Sequence, residues 1–512
     1  MEIDFKRYIT QNGETLLYVG APNFDFLDEL ALGYGDIWHS GLDQGFKNTF
    51  QEIIYQTAVF WWFLNDFNCN ETCVSWRMNI NSFVIRESVW EKIKFQNIYD
   101  SKYMYGFDLA YNLLRNQAGI PLHVKGLYKQ ETNAISISSE DRYKFYFRNF
   151  KNHHAFYMLL RKGIFNLPFE IKSYLRTRKT SKRISKKISS RSLKNIEGKP
   201  TVSLVIPTMK RQEFTQILLN DHKTQTYLIK EAVIVDATPE TERNPKYYQQ
   251  KDFPFELKVT WQTSKGSCRA RNEAIKRCTG DYIIFADDDI RIQPDFVENH
   301  IRLLQTYNAV ASNGLDIMAE NPKQDLNDLK DRLAKIDKER WHVGVSSMFS
   351  NANSCVKRSF IEETLKYNDV NFDGGYGEDA DYGLRIFKYG GVVLHNPYSP
   401  NLHLKPIEGG YRWWGLESRK KGKERKIQPW EIERKVENIV PVPSPTVTYG
   451  VLKHYTRKQV KEWVYKYFFI HLFKGTKSQL PLKLLMLPLK LYQFRLSKIF
   501  AKTLLNKGEQ YS

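Results

Sequence analysis

Three consecutive carboxylates, Asp287, Asp288 and Asp289, end an unbroken run of apolar and aromatic residues from Tyr282 to Ala286. The run reads as a buried strand whose C-terminal end carries acid. Ligand crevices of open α/β sheets lie beyond the carboxyl ends of strands, and carboxylates there that cannot pair with one another are neutralised most simply by a hard divalent cation. Asp287 and Asp289 alternate along the chain and can present oxygens on one side. A solvated acidic turn would contain the same residues, so the groups converging on this place decide the matter. Pro207-Thr208 closes a β-branched strand that starts at Thr201, and Asp236 ends another that starts at Glu231. Three such strand ends would aim their groups into one crevice suited to a nucleotide, with Asp236 accepting hydrogen bonds from a base or ribose and the triplet holding a metal on the diphosphate. A turn or helix N-cap role for Asp236 is an equal alternative. Gly266-Ser-Cys-Arg-Ala-Arg-Asn272 adds a glycine turn entering a helix, with Arg269 and Arg271 near an N-terminus where anions are favoured. A solvated helix face is the competing reading there.

These groups need a scaffold. Helical spacing from Phe214 to Asn220 and from about Cys268 to Arg277 alternates with the strands, which predicts an α/β layer on a mostly parallel sheet. The chain has 512 residues, long for one domain, and 42% of them are hydrophobic, enough for ordinary cores. Its formal charge of +20, from 77 basic and 57 acidic residues, implies an anionic partner. The five cysteines, Cys69, Cys73, Cys268, Cys278 and Cys355, lack paired zinc-site spacing and read as reduced thiols of a cytoplasmic protein. No secretory signal and no spanning helix are predicted.

Residues 1–165 are aromatic and mixed in pattern, and their apolar run Ala58 to Leu64 is too short to span a bilayer. Ser82-Phe-Val-Ile-Arg86, Tyr105-Gly-Phe-Asp108 and Gly119-Ile-Pro-Leu-His123 recur as Ser354-Cys-Val-Lys-Arg358, Tyr376-Gly-Glu-Asp379 and Gly391-Val-Val-Leu-His395, at offsets of 272, 271 and 272 residues. That is the pattern of a diverged internal repeat. Residues 166–198 include an acid-free basic tract, Lys172 to Lys187, read as a linker or a basic helix against an anionic surface. Beyond about residue 415 come basic Arg419 to Lys426, a Pro-rich extended segment from Pro441 to Thr446, and a tail mixing large apolar residues with Lys and Arg. The tail suits a membrane interface, where each basic residue adds roughly 1 kcal/mol near anionic lipid. Packing against the catalytic domain is its alternative.

Val-Ile-Pro-Thr, Val-Asp, Gly-x-x-x-Ala-Arg-Asn, Gly-Asp-Tyr-Ile-x-Phe-x-Asp-Asp-Asp and Gly-Glu-Asp, in that order over residues 199–415, resemble the inverting glycosyltransferases of family 2, which have the GT-A fold. The resemblance implies that Asp287 and Asp289 bind Mn²⁺ or Mg²⁺ on a nucleotide-sugar diphosphate, and that Pro207, Thr208, Asp236, Arg271 and Asp288 contact the nucleotide sugar. Asp236-Ala-Thr-Pro departs from the acidic or small residues of many relatives, which weakens the base contact. The Glu378-Asp379 pair is assigned the catalytic base, with Asp379 preferred, because inverting transfer needs a carboxylate to take the acceptor hydroxyl's proton. His403, 24 residues beyond Asp379, is a candidate third metal ligand by analogy with relatives that supply a late histidine. Trp413 and Trp414, after Gly409-Gly410, offer aromatic faces to an acceptor sugar.

In the repeat, Gly106-Phe-Asp108 stands where the second copy has Gly377-Glu-Asp379, and no Asp-x-Asp strand precedes it at the matching distance. Four segments are therefore expected: 1–165, a degenerate partial GT-A-like module; 166–198, a basic linker; 199–415, the catalytic GT-A domain; and 416–512, a basic then amphipathic membrane-associating region. The expected protein is a metal-dependent glycosyltransferase, peripheral on the inner face of a bacterial membrane. It would move sugar from a nucleotide donor, most simply UDP-linked, to a lipid-linked glycan acceptor in surface-polysaccharide synthesis. The rivals are a nucleotidyltransferase, which leaves the Gly-Glu-Asp base unexplained, and a nucleic-acid-binding protein, for which no module is recognisable; nucleic acid is not an expected partner.

Overall fold

The computed structural model describes residues 3–512 except 48, 51–70, 94–95, 132–134, 163, 184–185, 189–190, 250–251, 263–264, 338–339, 347, 407 and 412–426. The Ala58 to Leu64 run, the Arg419 to Lys426 tract, Trp413 and Trp414 lie outside the described residues.

Two sheets organise the chain. The first has six strands, β1 (Lys6–Ile9), β2 (Thr15–Val19), β3 (Ile37–His39), β4 (Thr72–Val74), β5 (Phe83–Arg86) and β6 (Pro121–Val124), in the order β1-β2-β5-β3-β6-β4. The second has eight: β7 (Val202–Thr208), β8 (Glu231–Asp236), β9 (Glu256–Trp261), β10 (Tyr282–Ala286), β11 (Ile290–Ile292), β12 (Ala311–Met318), β13 (Asn353–Lys357) and β14 (Val393–His403). Their order is β11-β14-β12-β13-β10-β7-β8-β9. Every residue of β7, β8 and β10 is buried, as expected of parallel strands covered on both faces. These strands run parallel, so Thr208, Asp236 and Ala286 finish at one edge of the sheet. This is the α/β architecture of a GT-A domain.

The strand registers extend the internal repeat beyond the matched sequence anchors. β2-β5-β3-β6 and β10-β13-β12-β14 have the same order and directions. Val19 faces Phe83 as Ile284 faces Cys355. Across the next strand the copies differ by one residue: Val84 and Leu122 both face Trp38, whereas their counterparts Val356 and Leu394 face Ala311 and Ser312. The helices Lys102–Asn116 and Glu378–Lys388 fill the same place, between the last two strands in sequence of each unit. Counting three to five residues beyond Val19 and Ile284 sets Pro22, Asn23 and Phe24 against Asp287, Asp288 and Asp289. The first copy thus has a strand at the acidic strand's position, which matched spacing alone did not reveal. Among the described residues it has no counterpart of the parallel β7-β8-β9 extension: β2 pairs instead with antiparallel β1 at the sheet edge.

The copies pack together. One apolar cluster spans both sheets, β4 touches the Glu378–Lys388 helix, and Tyr34 donates to the Gly390 carbonyl at 3.3 Å. The tail is helical: Pro445–His454, Arg457–Phe473, Leu480–Leu485 and Leu487–Lys507. The extended reading of Pro441 to Thr446 stops at Ser444, because Pro445 opens a helix, where a missing N–H costs nothing. Phe494, Leu496, Phe500 and Leu504 of the last helix are buried, with Phe500 4.8 Å from the Trp430 ring, so packing claims this part of the tail. No helix among the described residues is long and apolar enough to cross a membrane.

Candidate active site

Asp287, Asp289 and His403 bring one ligand atom each within 4.8 Å of one another. Strand pairing explains the convergence: β11 follows the acidic triplet and pairs with the end of β14, so Ile290 faces His403, and Leu404 N–H donates to the Asp289 carbonyl at 2.8 Å. His403 Nε2 lies 3.3 Å from Asp289 Oδ1, and Nδ1 lies 3.3 Å from Asp316, a β12 residue. Burial lowers the imidazole's proton affinity, but hydrogen bonds and charge from Asp289 and Asp316 overcome it and lift the pKa to about 10. Burial raises Asp289 too, yet His403 and Arg211 hold its carboxyl below the ordinary range.

Asp288 turns inward. It accepts from Thr208 Oγ1 at 2.7 Å and from Arg211 Nη1 at 3.3 Å, and burial pushes it up to about 7. Arg211 also donates to Asp289 at 2.9 Å, while the Glu408 carbonyl accepts from its Nε at 3.0 Å. The metal-type carboxylates are therefore neutralised here by the chain's own guanidinium. Pro207 and Thr208 close β7 beside them, and the Thr208 carbonyl accepts from Tyr411 Oη at 3.1 Å.

Asp236 has both oxygens engaged, Oδ1 by Thr238 N–H at 2.8 Å and Oδ2 by Tyr248 Oη at 2.9 Å, and burial raises its pKa. The turn alternative describes its local geometry. At the Gly266 turn the expected anion is the chain's own. Asp373 accepts from Cys268 N–H at 2.7 Å and from Arg269 at 3.0 Å, and a Cβ on Gly266 would stand 2.2 Å from its carboxylate. Arg269 is thus committed to structure.

Arg271 is different. It is 6% exposed and donates to Asp287 at 2.7 Å, but its Nε and Nη1 have no hydrogen-bond partner among the described residues. Burial works against its charge, but attraction from Asp287, then Asp379 and Glu378, outweighs it and raises the pKa. Orphaned buried cationic donors beside an Asp-Asp-His cluster fit a divalent cation carrying a diphosphate.

Asp379 lies in the first turn of the Glu378–Lys388 helix, after Gly377 at φ 109°, a conformation that favours glycine. Asp379 is half-buried and accepts from the Asn351 side-chain amide. Glu378 is buried. Asp381, the other acid of this turn, is committed to Arg385 at 3.0 Å, His454 at 2.8 Å and Lys453 at 2.7 Å. Arg211, Asn351 and Asp316 were absent from the sequence-derived site because long-range pairing alone brings them there.

Residues 203–365 match the sequence model of glycosyl transferase family 2. Over shorter stretches the chain is similar to three Bacillus subtilis (strain 168) proteins. It is 31% identical to the putative glycosyltransferase EpsH over 20% of this chain and 30% of that one. It is 25% identical to the putative teichuronic acid biosynthesis glycosyltransferase TuaG over 24% and 50%, and 24% identical to the uncharacterized glycosyltransferase YwdF over 36% and 68%. The chain thus spans half or less of the first two relatives. Among solved structures, S. aureus TarS 1–349 is 12% identical with a TM-score of 0.35, covering 61% of this chain and 93% of that one. Residues 203–365 are a family 2 glycosyltransferase domain.

Proposed function

We propose that the protein is a metal-dependent inverting glycosyltransferase that moves sugar from a nucleotide donor, most simply UDP-linked, to a lipid-linked glycan of a surface polysaccharide. The observation that carries this reading is buried Arg271, which has two donors without a partner among the described residues and interacts with both Asp287 of the Asp287-Asp289-His403 cluster and Asp379. Mn²⁺ or Mg²⁺, held by Asp287, Asp289 and His403, would supply Lewis-acid neutralisation of the departing diphosphate. Arg271 would take a diphosphate oxygen with its orphaned donors. Pro207, Thr208, Asp236 and Asp288 shape the nucleotide side, Asp288 acting through Thr208 and Arg211. Asp379, oriented by Asn351, would accept the acceptor hydroxyl's proton. The freed oxygen lone pair forms the new bond to the anomeric carbon, and the bond from that carbon to the diphosphate oxygen breaks with its electrons leaving on the nucleotide. Trp413 and Trp414 are proposed to stack on the acceptor sugar.

The surface-polymer assignment draws support from the teichuronic acid biosynthesis name of one similar protein. The charge of +20 and the apolar, cationic tail support a site on the inner face of an anionic membrane. The domain division 1–165, 166–198, 199–415 and 416–512 belongs to the same proposal. Calorimetry with UDP-, GDP- and dTDP-sugars and Mn²⁺ tests the donor, and NMR of the product tests the anomeric outcome. Binding of one nucleotide class and an inverted product support the proposal; absence of donor binding, or retention, removes it.

A further inference from the structure

Two helices distant in sequence bury polar residues and expose apolar ones, the reverse of ordinary surface helices. The Leu167–Thr177 helix buries Glu170, Ser173 and Thr177, while Phe169 and Leu175 are 66% and 49% exposed and the preceding Phe165 is 100% exposed. The Arg457–Phe473 helix buries Glu462 and Lys466 and leaves Phe473 55% exposed. The following Leu480–Leu485 helix buries nothing, and Leu482 and Leu485 are 62% and 76% exposed. The two regions meet. The Asn152–Arg161 helix packs on Leu167–Thr177, its Tyr157 ring is 4.7 Å from Phe469, and Arg161 Nε donates to Glu462 at 2.9 Å.

Charge identifies the occupant. Glu170 is the only acid from residue 152 to residue 180, and Glu462 the only one from residue 455 to residue 507. Both are buried and engaged, Glu170 by Ser139 Oγ at 2.7 Å and Glu462 by Arg161. Lys172, Lys179, Lys474, Lys483 and Lys490 lie on or beside these helices, as does Arg176, which pairs with Glu140 at 3.0 Å. Large apolar residues among a strong excess of cations fit an anionic bilayer surface.

We infer that the helices of residues 152–177 and of residues 457–485 form one docking face for an anionic lipid surface, with Phe165 and Phe169 inserting alongside Leu482 and Leu485. This deepens the membrane part of the proposed function, to which it adds residues 152–177, the end of the N-terminal module and the start of the basic linker, as a second contact. It also gives that region a task, holding the catalytic domain at the surface together with the tail.

The test is flotation of the full-length protein with phosphatidylcholine vesicles, with and without phosphatidylglycerol. The wild type partitions onto the anionic vesicles, and Phe165→Glu with Phe169→Glu lowers that partitioning about tenfold or more, as does Leu482→Glu with Leu485→Glu. Circular dichroism and donor binding stay unchanged, because these side chains are exposed and outside the catalytic site. If the phenylalanine variant partitions like wild type while the leucine variant does not, the two-point face is overturned and the tail reading stands. If wild type ignores vesicles altogether, both fall. If light scattering shows a dimer that the phenylalanine variant dissociates, the face joins two copies and the inference is overturned.

Discussion

Asp108 and Asp379 occupy the same position in two copies of one strand-helix-strand unit, yet their surroundings are opposite. Asp108 is fully buried, ion-paired with Arg183, 3.7 Å from Arg148 Nε and 3.0 Å from the Asn149 amide. Asp379 is half-buried, accepts from the neutral amide of Asn351 and lies within the field of Arg271. The same divergence recurs one strand away, where Pro22-Asn23-Phe24 stand against Asp287-Asp288-Asp289. A carboxylate sealed between guanidiniums in the core is an anchor, whereas one half-exposed in the first turn of its helix is within reach of a bound substrate. One framework thus serves chemistry where its acid reaches solvent and stability where its acid is sealed in the core.

Asp379→Asn should break the comparison most strongly. It is expected to lower kcat by about 10²- to 10⁴-fold while donor binding by calorimetry is retained. Asp108→Asn should leave kcat within about twofold but leave Arg148 and Arg183 uncompensated, costing about 3–5 kcal/mol in denaturant unfolding. Equal kinetic losses in the two variants would contradict the division of roles. A smaller effect sharpens it: Pro22→Asp with Phe24→Asp places acid in the first copy but supplies no counterpart of His403 or Arg271. Mn²⁺ stoichiometry, read by electron paramagnetic resonance, should therefore be the same as wild type.

The smallest effect concerns pH. His39 faces His123 as Asn313 faces His395, and it is pushed down to about 3 by burial, with His123 adding repulsion; burial lowers His123 itself to about 4. Unfolded histidines titrate near 6.5, so the unfolded chain binds these protons first. Their stabilising contribution is present above about pH 6.5 and is lost as pH falls towards 4, by at most about 1.4 kcal/mol per unit for each group. His39→Asn should flatten the fall of Tm across that window.

What could be read from sequence follows from what is local. The strands ending at Thr208, Asp236 and Ala286 announce themselves as apolar runs closed by Pro-Thr or acid, and the Gly-Glu-Asp turn by its glycine. The repeat was readable where side chains persist, at Ser82 to Arg86 and Gly119 to His123. It faded at Pro22 to Phe24, where both residue types and spacing changed and only the register of β2 on β5 preserves the match. Arg211, Asn351 and Asp316 carry no local signal, because each meets its partner across strands or loops 28 to 87 residues away. In the tail, composition could not separate Phe494 and Phe500, which pack inward, from Leu482 and Leu485, which face solvent, because all four occupy similar cationic, apolar sequence.

The central claim is that donor binding depends on a cation held at the end of β10. Its most direct test is calorimetric titration of a UDP-sugar into wild type and Asp289→Ala, each with Mn²⁺ and with EDTA. The account predicts binding to wild type with Mn²⁺ only, and none to Asp289→Ala under either condition. Binding that ignores both EDTA and the substitution would contradict it.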